Sequence, residues 1–286
     1  MERIRKRKHS SVKPPKSTTI AAVGPPFLDY LRPTAEECLS VRDDLLSHHG
    51  FPQEFLKYRN RRMRAKPYQN TQQLPEEDGE EIETVLDGLV RTVLSQNTTE
   101  LNSERAFASL KKAFPTWENV LAADSKCIED VIRCGGLAPT KSSCIKNLLS
   151  WLLEKKGKLC MEYLRELSIE EVKAELSLLK GIGPKTVACV LLFNLQLDDF
   201  PVDTHVFQIA KTIGWVPPIA DIKKTYVHLN HRIPADLKFD LNCLLYAHGK
   251  VCRRCAYRKV DRKSKEETDG NGSCPLLAYS GCSTVT

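Results

Sequence analysis

Two short motifs in the second half of the chain combine residue types that can perform covalent chemistry. In the first, Leu179-Lys180-Gly181-Ile182-Gly183-Pro184-Lys185-Thr186, Lys185 follows a Gly-x-Gly turn and a proline. The second, Pro201-Val202-Asp203-Thr204-His205, follows a short distance along the chain. Either motif alone is common. An amine at the start of a helix with a carboxylate from a nearby turn is a suitable pair for chemistry on an aldehyde-like carbon, and this order and spacing indicate an enzyme that acts on DNA.

The glycines of the first motif favour a hairpin that binds phosphate. Gly181 and Gly183 permit positive φ and leave their N–H groups uncovered. Successive N–H groups at a helix N-terminus form an anion site, and Pro184 suits the first helical position because it has no N–H to lose. Such a hairpin would bind the DNA backbone without reading sequence. The alternative is a tight turn between helices with no ligand.

Lys185 and Asp203 can share the steps of base removal. The helix dipole disfavours an ammonium in the first turn, and partial burial of Lys185 would act in the same direction, leaving a nucleophilic amine. Attack on the sugar C1′ would expel the base and leave a Schiff base, from which β-elimination cuts the strand. Asp203 could activate the amine or stabilise positive charge on the sugar. Asp203 could also cap the next helix, and both roles can hold at once.

The elements that must position this pair are helical. Glycine or proline separates most of the amphipathic segments, and the absence of sustained period-two alternation predicts an all-α fold. The sequence from Thr34 to Glu37 is a capping box that predicts a helix ending near His49-Gly50. Further helices are predicted over residues 82–94, 103–114, 126–134, 141–153, 169–179, 185–195 and 205–213.

The bulk composition limits the possible classes of protein. The chain has 286 residues, eleven cysteines and a formal net charge of +7. The positive charge suits a polyanionic partner but does not by itself identify one. The longest apolar run, residues 187–195, is well short of the ~20 residues needed to span a bilayer. We therefore expect a protein without membrane segments in a reducing compartment, where most cysteines, such as Cys38, Cys127 and Cys189, act as small buried apolar groups.

Two basic segments flank the first predicted helix. Residues 1–33 are basic and poor in large apolar groups, which predicts a disordered tail. Within it, Arg5-Lys6-Arg7-Lys8 could be a nuclear import signal, part of a solvated tail, or part of an organellar transit peptide. The second segment, residues 58–68, could lie along a phosphate backbone or could be a solvated linker. Its members are Tyr58, Arg59, Arg61, Arg62, Arg64, Lys66 and Tyr68.

Several motifs in order resemble those of one family. From about residue 82 to residue 255 the chain resembles the endonuclease III branch of the helix-hairpin-helix (HhH-GPD) DNA glycosylases. Residues 200–216 are also similar to the plant DEMETER-type glycosylases. The motifs that carry the resemblance are Val93-Leu94-Ser95-Gln96-Asn97-Thr98, Leu179 to Thr186, Pro201 to His205, and Leu245-Tyr246-Ala247-His248-Gly249-Lys250.

The resemblance implies a fold and a set of roles. It implies an all-α, bilobal fold, with a six-helix bundle that holds the hairpin, a second helical lobe with a possible C-terminal metal loop, and DNA in the cleft between them. On this basis we divide the chain into residues 1–33, 34–75, 76–200, 201–250 and 251–286. Lys185 and Asp203 would be catalytic, and Gln96 or Asn97 would fill the space left by a flipped nucleotide. The implied DNA-binding residues are Gly181, Ile182, Gly183, Thr186, Gln96, Asn97 and His205.

The last four cysteines depart from the family pattern. The family often carries a [4Fe-4S] cluster on a compact cysteine run, whereas Cys252, Cys255, Cys274 and Cys282 are widely spaced. Residues 261–272 form a polar insertion between them. Four thiolates need only converge in space, so these cysteines could hold a cluster. Tetrahedral zinc, or a site without metal, are the alternatives.

The expected function is a DNA N-glycosylase with AP-lyase activity in base excision repair. It would remove a modified base from double-stranded DNA, by default an oxidised pyrimidine, with 5-methylcytosine as the alternative that the DEMETER resemblance leaves open. It would act as a monomer in the nucleus or, alternatively, an organelle. A non-catalytic DNA-binding module and a monofunctional glycosylase are the other readings. The presence of both Lys185 and Asp203 favours the bifunctional enzyme, because a binding module needs the glycines and not the amine.

Overall fold

All regular secondary structure in the described part of the chain is helical. The computed structural model describes residues 24–65, 83–252, 254–255 and 274–280. Residues 1–23 of the predicted tail, Lys66, Tyr68, the insertion and Cys282 lie outside these residues. The prediction of disorder is wrong for residues 24–33, where the Tyr30 hydroxyl donates to the Gly214 carbonyl at 2.7 Å and the Arg32 carbonyl contacts His228 Nε2 at 2.7 Å. The helices are α1 (Ala35–His49), α2 (Leu56–Ala65), α3 (Val85–Leu94), α4 (Glu100–Ala113), α5 (Trp117–Ala122), α6 (Ser125–Val131), α7 (Ala138–Lys156), α8 (Ile169–Ser177), α9 (Pro184–Cys189), α10 (Thr204–Thr212), α11 (Ile222–Arg232) and α12 (Ala235–Val251).

Several helices begin where the sequence predicted that they would. Thr34 and Glu37 form the capping box of α1, with both reciprocal hydrogen bonds present, and α1 ends at His49 before Gly50, which has φ +67°. Ser168 caps α8 in the same way. Asp203 accepts a hydrogen bond from the third residue of α10 and is its N-cap. These boundaries are set by side chains that satisfy otherwise unpaired N–H groups.

Other helices differ from the prediction in length or were not predicted. The segment expected as a linker between α1 and the hairpin lobe contains helix α2, and the short α5 was missed. The predicted helix over 126–134 becomes α6 followed by a 3₁₀ turn, Arg133–Gly135. The predicted helix over 185–195 keeps α-helical geometry only to Cys189. It continues as a π-helical turn, Val190–Asn194, which changes the direction in which its side chains point.

Among the described residues, two large apolar cores hold the helices in two groups, and a third, smaller cluster forms around Leu192, Phe239 and Cys243. Helices α3 to α9 share the first core, and we call this group the hairpin lobe. Helices α1, α10, α11 and α12 share the second, with α1 and α10 both packed on α12, and we call this group the second lobe. Apolar side chains at helical spacing account for both cores, including Cys38 in α1. Cys127 is exposed, so its predicted burial is wrong.

The chain passes between the lobes through a segment that is tightly hydrogen-bonded. Phe200 N donates to Asn230 Oδ1 at 2.9 Å, and Asn242 Nδ2 donates to the Pro201 carbonyl at 2.7 Å. Lys238 Nζ donates to the Asp198 carbonyl at 3.0 Å. Because Asn230 belongs to α11 and Lys238 and Asn242 belong to α12, the segment that carries Asp203 is held against the second lobe. None of the described helices is long and apolar enough to cross a membrane.

Candidate active site

A cavity of about 350 Å³ lies between the two lobes and is lined by both predicted catalytic residues. Lys185 enters it from the first turn of α9 in the hairpin lobe. Asp203 enters it from the N-terminus of α10 in the second lobe. The fold therefore brings the two motifs to one space, as a reaction between amine, sugar and carboxylate would require.

Lys185 is exposed, so burial does not act on its amine in the protein without DNA. The reason is that α9 starts at the surface of the hairpin lobe and Lys185 extends into the open cavity. The preceding Pro184 occupies the first helical position, as predicted. Any desolvation of the amine must therefore come from the substrate that fills the cavity.

Asp203 is half-buried and is fixed by its role as a cap. Its Oδ1 accepts a hydrogen bond from Val206 N at 2.8 Å. The turn that presents it is held by Asn242, a buried residue of α12 that the sequence reasoning missed. Since the cap orients one carboxylate oxygen towards the helix, Asp203 can combine capping with a catalytic role.

Cys189 stands close to both members of the pair. Burial raises the pKa of its thiol to about 11, and the charges of Lys185 and Asp203 act on it in opposite directions. The thiol therefore stays protonated near neutral pH, and a protonated thiol is a poor nucleophile. Lys185 remains the better-placed nucleophile in the cavity.

The Gly-x-Gly hairpin is built differently from the expectation in two respects. Gly181 has φ +92°, and a Cβ at this position would lie 2.7 Å from Cys144 Sγ. Gly183 has an ordinary φ of −88° with open space around it, so only Gly181 needs positive φ. The Ile182 side chain is buried in the core and its N–H donates to the Leu179 carbonyl at 3.1 Å. Ile182 thus anchors the hairpin and has neither group free for the predicted DNA contact.

The predicted wedge turn contacts the hairpin helix. Gln96 Nε2 donates to the Thr186 hydroxyl at 3.2 Å, which joins residues from two distant motifs. Thr186 is buried, so its side chain supports Gln96. Asn97 is exposed with a left-handed φ of +51°, an uncommon conformation that asparagine tolerates. Asn97 therefore projects at the tip of the turn, and Gln96 lies at its base.

A buried lysine that the sequence reasoning missed supports this turn. Lys141, in α7, is 1% exposed. Its Nζ donates to the Leu94 carbonyl at 2.7 Å and to the Gly135 carbonyl at 2.8 Å. Leu94 is the last residue of α3, directly before the wedge turn, and Gly135 belongs to the glycine junction before α7. A lone lysine in an amphipathic helix carries no sequence signal for such a role.

His205 and the basic segment have structural partners. A Cβ on Gly249 of α12 would lie 2.6 Å from His205 Cβ, so His205 packs closely on that helix. In α2, Arg59 forms two hydrogen bonds with Asp240, and Arg62 bonds to Asp198. These arginines join α2 to the second lobe and to the interlobe segment. The reading of Arg59 and Arg62 as a solvated linker is wrong.

Three of the four predicted metal-binding cysteines converge with a histidine. The candidate ligand atoms of His248, Cys252, Cys255 and Cys274 all lie within 4.8 Å of one another. Cys274 Sγ is 3.3 Å from Cys255 Sγ and 3.4 Å from His248 Nε2. Burial, with the nearby His49 and His48, lowers the pKa of His248 to about 4, so its imidazole is neutral as metal binding requires. Its Nδ1 contacts His49 Nε2 at 2.8 Å.

Comparison with known proteins identifies the family. Residues 90–235 match the HhH-GPD superfamily of base excision DNA repair proteins. The chain belongs to this superfamily. A "Putative DNA glycosylase" of Arabidopsis thaliana is 57% identical over 284 residues, which cover 97% of this chain and 96% of that protein. The chain therefore matches that relative over nearly its full length.

Two further comparisons concern a longer plant protein and the fold. The DNA glycosylase/AP lyase ROS1 of Arabidopsis thaliana is 36% identical over 101 residues, which cover 35% of this chain and 7% of that much longer protein. A solved complex of endonuclease III bound non-covalently to DNA superposes with a TM-score of 0.60 at 19% identity and covers 87% of this chain and 95% of that one. This HhH-GPD protein thus has the all-α fold of endonuclease III, as predicted.

Proposed function

We propose that this DNA glycosylase is bifunctional and excises a modified base through a covalent intermediate on Lys185. The observation that carries the proposal is that Lys185 and Asp203, from separate lobes, line one cavity. A module that only binds DNA has no need for an amine and a carboxylate in a shared space. The resemblance to endonuclease III favours a modified pyrimidine in double-stranded DNA as the substrate.

Lys185 and Asp203 each have a defined part in the reaction. The Lys185 amine forms a bond to the sugar C1′, the C1′–N bond breaks, and the base leaves with that electron pair and takes up a proton. The Asp203 carboxylate stabilises the positive charge that develops on the sugar. Ring opening gives the Schiff base. Loss of a C2′ proton then breaks the C3′–O bond, the phosphate leaves with the electron pair, and water releases Lys185.

The DNA contacts follow from the elements around the cavity. Gly183 and the first turn of α9 offer backbone N–H groups to a phosphate, and the exposed Asn97 would occupy the space left by the extruded nucleotide. Gln96, bonded to Thr186, holds the wedge turn next to the hairpin. Positioning and chemistry would then share one helix, α9.

We further propose that the Cys/His cluster holds a structural metal. Zinc with Zn–S bonds of ~2.3 Å places tetrahedral ligands ~3.8 Å apart, close to the separations of Cys274 from Cys255 and His248. The described donors therefore fit one tetrahedral ion with His248 as the fourth ligand. A [4Fe-4S] cluster would use Cys282 as its fourth thiolate and would require the donors to move apart. Either group would join α12 to the C-terminal segment, away from the reacting atoms.

Borohydride trapping on a duplex with one abasic site tests the mechanism. Wild type should give a covalent protein–DNA band, and both Lys185→Ala and Lys185→Arg should give none. Lys185→Arg keeps the positive charge, so retained binding in this variant separates loss of the nucleophile from loss of affinity. Lys180→Ala, next to Gly181, is the control and should still be trapped. Bound wild type without a trapped band would replace the proposal with a monofunctional glycosylase or a binding module.

Location and assembly follow as proposals from the sequence. We propose a nuclear protein, on the basis of Arg5-Lys6-Arg7-Lys8, that acts as a monomer. A fluorescent fusion should enter the nucleus and lose this location when the four bases become alanine. Import into an organelle would instead favour the transit-peptide reading.

A further inference from the structure

One wall of the interlobe cavity comes from the segment between α1 and the hairpin lobe. Phe55, from the 3₁₀ turn Gln53–Phe55, and Tyr58, from α2, line the same cavity as Lys185 and Asp203. The salt bridge from Arg59 to Asp240 and the bond from Arg62 to Asp198 hold α2 in place. The segment is therefore a built part of the cavity.

The wall is aromatic because four rings from four different elements meet there. Phe55 stacks on Phe193 with centroids 5.4 Å apart and an interplanar angle of 15°. Tyr58 contacts the same ring at 5.4 Å and 58°. Tyr246, from α12, meets the edge of Phe55 at 5.8 Å and 72°. We call Phe55, Tyr58, Phe193 and Tyr246 the aromatic wall, and all four line the cavity.

The π-helical turn explains why Phe193 takes part. Phe193 lies in Val190–Asn194, the continuation of the helix that starts with Lys185. A π turn adds a residue to the helical repeat and so re-aims the side chains that follow it. The nucleophile and one ring of the wall are thus positioned by the same continuous helix.

The cavity also contains a polar group beside the rings. Arg91 lines the cavity, pairs with Glu83 at 2.9 Å and is also bonded to Glu104. Burial raises the pKa of Tyr58, so its hydroxyl is protonated and can donate a hydrogen bond. Hydrogen-bonding groups next to aromatic rings are what an extruded base needs, since its faces stack and its edge forms hydrogen bonds.

We propose, on the basis of the proposed glycosylase function, that Phe55 and Tyr58 are specificity-determining residues of the base pocket and that this pocket takes a planar, aromatic pyrimidine. Thymine and 5-methylcytosine are flat and present a π-face to the wall. A ring-saturated pyrimidine such as thymine glycol is puckered and carries out-of-plane hydroxyls. Such a ring loses most of the stacking contact that the aromatic wall offers.

The test uses leucine variants that remove a ring and keep apolar bulk. Phe55→Leu and Tyr58→Leu are compared with wild type on three duplexes that carry thymine opposite guanine, 5-methylcytosine, or thymine glycol, and on a fourth with an abasic site. Alkali treatment converts every released base into a strand break, so base release is measured even where the lyase step is absent. Phe51→Leu is the matched control, because Phe51 stacks on Phe239 at 6.3 Å and does not line the cavity.

The expected result separates recognition from chemistry. Wild type should release at least one planar base faster than thymine glycol. Phe55→Leu and Tyr58→Leu should slow that release by about 10- to 100-fold, the range for losing one stacking partner. Abasic-site cleavage, which needs no base, should change less than about twofold in both variants. Phe51→Leu should leave both rates near those of wild type.

Three outcomes would overturn the inference. They are faster release of thymine glycol than of either planar base, unchanged release of the preferred base in both variants, and an equal fall in base release and abasic-site cleavage. The proposed function fails by a different result, namely wild type that releases no base and cuts no abasic site. If the enzyme is monofunctional, its selectivity among bases can still be measured, because alkali treatment cuts the strand wherever a base was released.

Discussion

Replacement of Gly181 by alanine should destabilise the fold, because two separate effects oppose a side chain there. The backbone has φ +92°, which costs roughly 1–3 kcal/mol for a residue with a Cβ. The new Cβ would lie 2.7 Å from Cys144 Sγ and 3.3 Å from Cys144 Cβ, and such overpacking typically costs about 1–3 kcal/mol. Alanine lowers the conformational entropy of the unfolded chain, which offsets about 0.4–1 kcal/mol of this loss. We expect a net loss of about 2–4 kcal/mol.

Urea unfolding of four variants, the Gly181→Ala, Gly183→Ala and Cys144→Ala proteins and the Gly181→Ala/Cys144→Ala double mutant, separates the two effects. Gly183→Ala is the control, since Gly183 has φ −88° and no atom within 4 Å of its would-be Cβ, and its loss should stay within ~0.5 kcal/mol. In a double-mutant cycle with Cys144→Ala, Gly181→Ala should regain at least ~1 kcal/mol, because the contact is relieved and the backbone strain is not. A Gly181→Ala protein as stable as Gly183→Ala would refute this account of the hairpin. The absence of coupling to Cys144 would refute the contribution of overpacking.

Four further predictions follow from single side chains. Lys141→Met should lose about 2–4 kcal/mol in urea unfolding, since two carbonyls lose their buried donor, and a shift below ~0.5 kcal/mol would contradict this. Asp203→Asn should slow base release and cost ~1 kcal/mol or less through the weaker cap, so full release activity would exclude its catalytic role. Burial lowers the pKa of His228 below its ordinary 6.5, so the unfolded chain takes up the proton first. Stability should therefore be greatest above pH 6.5 and fall as the pH drops, and His228→Gln should flatten this dependence in unfolding curves at pH 5 to 8. Cys255→Ser should lose bound metal by elemental analysis, and a variant with wild-type metal content would exclude the cluster as its site.

The local signals of the sequence were sufficient to single out Lys185 and Asp203 as candidates and to place the starts of the helices that carry them. Gly-x-Gly-Pro-Lys and Val-Asp-Thr have their meaning in a few adjacent residues, because a helix start depends on short-range hydrogen bonds. For the same reason the capping box at Thr34 placed α1 correctly. What local signals could not show is that Lys185 remains exposed, because its exposure depends on where α9 starts on the hairpin lobe and on the open cavity beside it.

The supporting residues could not be predicted because each acts through a partner that is distant in the sequence. Lys141 reaches the Leu94 carbonyl across 47 residues, and His49 reaches His248 across 199. The basic composition of α2 gave no indication that the ring of Tyr58 lines the cavity. The arginines beside it form salt bridges. An isolated lysine, histidine or tyrosine looks the same in a sequence whether or not such a partner exists.

The sequence by itself determined the helical class, the hairpin, and the amine and carboxylate that can react. Only the tertiary structure decided that they share a cavity, that Gly181 is the one of the two hairpin glycines with positive φ, and that aromatic rings from four elements line that cavity. The physical reason is the distance along the chain over which the stabilising contacts act. Helix starts and turns are governed by contacts within a few residues, whereas the cavity exists only where two separate apolar cores pack side by side.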